Sequence, residues 1–190
     1  MYTRKNIITG GVRAMDVKGL HHVAYRCSDA KRTTEFYQKY LGLDFNIAVA
    51  ENRVPSTGEW SPHIHIFFRM ADDSYVAFFE VPESPGMLKD TNTPEWVQHL
   101  ALRVDDMETL HRRKAQLEAD GIKVIGPTDH HMCQSIYFFD PDGHRLELAY
   151  DSSTPEMMKM LREIAEPTLA EWSVTKRAPD VAPIHENARG

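Results

Sequence analysis

The sequence predicts an α+β fold made of two repeated β-α-β-β-β modules, and three observations carry that expectation. The pattern His-x-Ala-x-Arg occurs twice, as His22, Ala24, Arg26 and as His99, Ala101, Arg103. Each copy sits in a stretch of strand character that a capping aspartate and a helical stretch follow, with a glycine (Gly42 or Gly121) at the far end. Past each glycine, short apolar runs separated by turns complete the unit, which makes the chain an internal duplication.

Taken in order, residues 1–17 are expected to form an irregular arm, broken by Gly10 and Gly11. The first module covers 18–82. Its opening strand, 20–27, places His22, Ala24 and Arg26 on one face and Val23 and Tyr25 on the other, because alternate strand residues share a face. Ser28 or Asp29 offers an N-cap for a helix reaching about Leu41, with Phe36, Tyr37, Tyr40 and Leu41 along one side. A strand over 45–50, a loop over 51–61, and strands over 63–70 and 75–81 joined by an Ala-Asp-Asp-Ser turn finish the module. Residues 83–95, rich in Pro, Gly, Asp and Thr, form a linker.

The second module covers 96–150. A strand over 97–104 is followed by a helix capped by Asp105 or Asp106, which runs through Leu110 and Leu117 to Gly121. Val124 and Ile125 start the next strand. The closing hairpin turns at Asp140-Pro141-Asp142-Gly143, and such a turn fixes the register so that Tyr137 and Glu147 come close. Residues 151–190 read as a helical extension, with helices over 155–165 and 169–176 and an irregular end from 178.

Composition bounds the function. The 190 residues are 42% apolar and 26% charged, ordinary for a globular chain, with a net charge of −6 that disfavours nucleic acid and anionic membrane as partners. Two cysteines, Cys27 and Cys133, are too few for a disulfide framework and fit a cytoplasmic protein. No apolar run is long enough for a bilayer, and residues 1–18 lack the apolar core of a signal peptide.

Glu147 lies in an otherwise apolar strand, where a carboxylate is costly unless a cation meets it. That cation is a metal ion, or else Arg26, Arg103 or Arg145. Ten histidines make metal chemistry worth weighing. His22 and His99, at equivalent repeat positions, face away from the greasy side of their strands, beside small alanines. His63 and His65 lie near Phe67 and Phe68. His144 reads as structural or solvated, and Cys133 has no base paired with it.

The two modules, the histidine in the first strand of each, and the run Ser135 to Glu147 resemble the vicinal-oxygen-chelate superfamily of glyoxalases, bleomycin resistance proteins and extradiol dioxygenases. The tyrosine three residues before Asp140-Pro141, the glutamate seven after that Asp, and His21-His22-Val23-Ala24 look most like its one-domain extradiol ring-cleaving members. The resemblance implies an open, cupped mixed sheet around a metal site. It implies Fe(2+) held by His22, His99 and Glu147, with O2 as co-substrate and a small catechol-type diol as substrate. It places Tyr137 and His131 in proton handling, and His65, His130 and Glu80 at the substrate. A homo-oligomer is also implied. Two other readings follow from the same likeness: a glyoxalase-type isomerase or lyase with Glu80 as fourth ligand, and a metal-free drug-binding protein.

Overall fold

A computed structural model describes residues 16–178. Most of the expected arm over 1–17 and nearly all of the expected irregular end from 178 lie outside the described residues. The first half runs β1 (His22–Cys27), α1 (Ala30–Phe36, continued by a wider π turn over Tyr37–Leu41), β2 (Asp44–Arg53), β3 (Trp60–Arg69) and β4 (Tyr75–Glu80). The second runs β5 (Leu100–Val104), α2 (Met107–Ala119), β6 (Ile125–Asp129), β7 (Cys133–Phe139) and β8 (Arg145–Asp151), and α3 (Pro155–Thr175) follows.

Each half makes a four-stranded mixed sheet of the same order, β1-β4-β3-β2 and β5-β8-β7-β6. The first and last strands of each half pair in parallel and the other pairs are antiparallel. Asp29 and Asp106 cap the two helices, their side chains accepting from the backbone N–H of Arg32 and Thr109. Gly42 ends the first helix at φ 69°, a left-handed conformation that costs glycine little.

Strand alternation decides which faces meet. Val23, Tyr25 and Cys27 of β1 and Leu100, Leu102 and Val104 of β5 turn toward the helices and join one hydrophobic core that both halves share. Tyr37, Phe68, Phe78 and Phe138 are wholly buried in it. Truncating any one of these to alanine costs about 3–5 kcal/mol. The faces bearing His22, Ala24, Arg26 and His99, Ala101, Arg103 point away from that core.

The β7–β8 turn pins the halves together. Tyr37 donates its hydroxyl to Asp140 Oδ2 (3.2 Å). Arg32 and the Ser28 hydroxyl bind Asp142 (2.8 and 2.5 Å). His144 Nε2 donates to the Arg26 carbonyl (2.7 Å). The structural reading of His144 therefore fits its position.

Three boundaries differ from expectation for physical reasons. β2 and β3 are longer than expected and meet over 44–53 and 60–69 despite Pro62; that proline lies beyond the reach of β4, beside a register shift, where no ladder N–H is needed from it. β5 begins at Leu100, so His99 precedes its strand. The extension is one helix that passes through Pro167, which removes a single internal hydrogen bond on a surface where water can satisfy the carbonyl.

Candidate metal centre

Tyr137 and Glu147 are direct partners across β7 and β8, as the turn requires. Leu146 and Leu148 enter the core, so Glu147 stands on the outward face, yet it is only 5% exposed. Its two oxygens are held separately. Ser135 Oγ, fully buried, donates to Oε1 at 2.5 Å, and His99 Nε2 lies 2.9 Å from Oε2. His99 Nδ1 donates to the Val97 carbonyl (3.1 Å), so Nε2 is the nitrogen turned toward Glu147. A protonated ring makes this contact an ion pair, and a neutral ring offers Nε2 and Oε2 together to a metal cation. The pair therefore fits a divalent metal, and the Nδ1 bond is the kind of outer contact that orients a metal-binding histidine.

Around this pair, His130 Nε2 lies 2.8 Å from the Tyr137 hydroxyl. The Arg145 guanidinium stacks 4.5 Å above the Tyr137 ring. Burial, then the charge of Glu147, pushes the Tyr137 phenol above its ordinary pKa, so it is a proton donor at neutral pH. A cleft of about 530 Å³ opens beside His99 between the linker at Met87 to Glu95 and the β7–β8 turn.

The first half carries its own cluster on its outward face. His22 Nδ1 meets His21 Nδ1 at 2.7 Å, and its ring lies near His65 and Phe67, with centroids 6.2 and 5.9 Å away. His65 is stacked on Phe79 at 3.6 Å and its Nε2 is buried without a partner. Burial, then His22 and His63, lowers its pKa to about 4, so it is neutral. His63 donates to the Ser61 carbonyl and approaches Glu51.

The expected residues are thus partly gathered. His99, Glu147, Tyr137 and His130 come together; His22 and His65 form a separate group. Among the described residues of one chain, no three His, Cys, Asp or Glu side chains lie close enough to hold a metal ion. His131, expected to assist Tyr137, sits at the corner of the β6–β7 turn with φ 65°, and it is His130 whose ring reaches the phenol.

Glu80 is corrected outright. It was expected on the same face as the ligands. The parallel registers make Ala77, opposite Ala24, the counterpart of Glu147, opposite Ala101. Glu80 lies three residues further on, hence on the other face, where Oε2 accepts from the Ala30 N–H at the start of α1. Ser135 is the residue that sequence reasoning passed over; it shares a strand face with Tyr137, two residues away, and that alternation was the available signal.

The sequence profile of the Glyoxalase/Bleomycin resistance protein/Dioxygenase superfamily matches residues 19–148. The chain is 29% identical over 140 residues to "Putative ring-cleaving dioxygenase MhqA" of Bacillus subtilis (strain 168); the match covers 72% of this chain but 42% of that protein, so the chain spans less than half of that relative's length. It is 24% identical over 139 residues to the metallothiol transferase FosB of Staphylococcus epidermidis, covering 70% of this chain and 83% of the relative. The fold is similar to that of a mutant of the fosfomycin resistance protein FosX from Listeria monocytogenes, solved with Mn(II) and 1S,2S-dihydroxypropylphosphonic acid, at a TM-score of 0.53 and 22% identity over 75% of this chain and 98% of the other. By the matched profile, which spans both repeats and the candidate metal pair, this chain belongs to the glyoxalase/bleomycin resistance/dioxygenase superfamily.

Proposed function

We propose that the protein is a metal-dependent extradiol dioxygenase that opens a catechol-type ring with O2, and that two copies of the chain build each site. The observation that carries the reading is the arrangement of His99, Glu147, Tyr137 and His130: two donors aimed at one point, beside a protonated phenol whose own partner is a histidine.

The third donor is His22 of the partner subunit. β1 and β5 each end their sheet, and they are equivalent in the duplication. A two-fold axis that lays β1 of one copy along β5 of another brings His22 to His99 and Glu147, twice per dimer, and uses edge groups that a lone chain leaves at its sheet ends. Ala77 keeps the set at two imidazoles and one carboxylate, the facial arrangement that leaves positions open for substrate.

Bound there, Fe(2+) supplies a centre at which a diol and O2 can meet and exchange electrons. This chain's residues do the rest. Ser135 holds Glu147 Oε1, which keeps Oε2 directed at His99. Tyr137 offers its phenolic proton to a substrate oxygen, and His130, exposed to solvent, holds the phenol from behind and passes protons to it. Neutral His65, with Nε2 unpartnered beside His22, is suited to accept a hydrogen bond from the diol.

Anaerobic loading with Fe(2+), followed by oxygen uptake and absorbance with catechol and 2,3-dihydroxybiphenyl, tests this. Stoichiometric oxygen use with a yellow ring-opened product supports it. The likeness to FosB over most of that protein's length favours a second reading, addition of a thiol to fosfomycin. Thiol-dependent loss of fosfomycin without oxygen use would replace the first reading by the second.

A further inference from the structure

The outward face of the second sheet does not stop at His99 and Glu147. One step further along β5 and β8, Ala101 and Ala149 continue that face, and above them lies a pocket of about 280 Å³. Its walls include Met132 from the β6–β7 turn and Met158 from the first turn of α3. Arg103 and Asp151 carry opposite charges at its edge.

The two methionine walls are tied to each other. Ser152, leading into α3, donates its N–H to the Met132 carbonyl (3.0 Å) and its hydroxyl to the His131 carbonyl (3.3 Å). Thr154 then caps α3, accepting from the Met157 N–H (3.1 Å). α3 lies wholly past residue 148, where the superfamily match ends, while Met132 lies within it.

We propose that this pocket receives the substituent of the substrate that points away from its metal-binding oxygens, and that Met158 sets how large that substituent can be. The proposal rests on the dioxygenase reading above. The alanines leave room for a ligand where larger side chains would fill it, and the thioethers offer an adaptable apolar surface. Arg103 and Asp151 offset each other, so the pocket selects a neutral, apolar group, such as an alkyl or phenyl substituent next to the diol, over an anionic one.

Equilibrium binding measured anaerobically on the Fe(2+)-loaded full chain, with catechol and 2,3-dihydroxybiphenyl as probes, tests the assignment; KM for each diol is the second readout. Met158→Trp is expected to weaken the phenyl-substituted diol roughly tenfold, and Met158→Ala to alter its affinity by a few-fold, with catechol within about twofold in both. Met158 is 45% exposed, so these variants are expected to fold; Met132→Trp, from the opposite wall, should discriminate in the same direction. If wild type binds both diols and the three variants shift them equally or not at all, the pocket assignment is overturned alone. If wild type binds neither diol, the dioxygenase reading falls and takes the pocket assignment with it.

Discussion

The two halves of this chain share a backbone plan and differ in chemistry at matched positions. Strand registers pair Ala77 with Glu147, Phe67 with Tyr137 and His65 with Ser135 as counterparts. In the second half these positions hold a carboxylate, the phenol beside it and the hydroxyl that grips it. In the first they hold a methyl group and two tilted rings with centroids 4.0 Å apart, and His22 is the donor proposed from that half. Duplication thus fixed where side chains can stand on the open face, while substitution divided the labour: one half holds most of the proposed metal set and the other contributes a single imidazole and an aromatic wall.

The largest expected effect comes from removing the residue that most distinguishes the halves. Glu147→Ala should lower divalent metal affinity by more than a hundredfold in titration calorimetry, whereas Glu80→Ala should leave metal affinity unchanged and loosen only the start of α1. An unchanged affinity in Glu147→Ala would remove the chemical difference between the two halves. Ser135→Ala should weaken metal binding by roughly 10–100-fold, the usual range for an outer contact to a ligand. Oε1 would lose its donor inside a buried site, so the loss should persist with every divalent ion tried.

At the seam between the halves, Asp140→Ala removes the acceptor of the buried Tyr37 hydroxyl and of the turn N–H groups of Asp142 and His144. A destabilisation of about 1–3 kcal/mol in urea is expected, with metal affinity little changed. The smallest effect concerns pH. His65 has a folded pKa of about 4, below its ordinary value of 6.5, so the unfolded chain binds the proton first as pH falls. Without metal, its contribution is in place above pH 6.5 and is lost progressively between 6.5 and about 4. His65→Phe should flatten that part of the melting-temperature profile.

Much of this was legible in the residues. The outward placement of His22, Ala24 and Arg26 follows from alternation against Val23 and Tyr25, and the Tyr137–Glu147 pairing follows from the Asp-Pro-Asp-Gly turn. Glu80 was misplaced because an acid at a strand end reads alike on either face until the parallel register is known. The separation of His22 from His99 was not legible either: local patterns say which way a side chain points, but the shared core decides which faces of the two sheets turn inward. The single helix α3 was hidden by Pro167, whose local penalty the rest of the helix outweighs.

The central claim is that each metal site is divided between two copies, and mixing two defective variants tests it most directly. His22→Ala and Glu147→Ala should each bind Fe(2+) poorly when alone. Co-expressed, they should form mixed dimers in which one site regains both residues, with metal binding and oxygen uptake restored there. Persistent loss in the mixture, with dimers formed, would contradict the account and place the donors within a single chain.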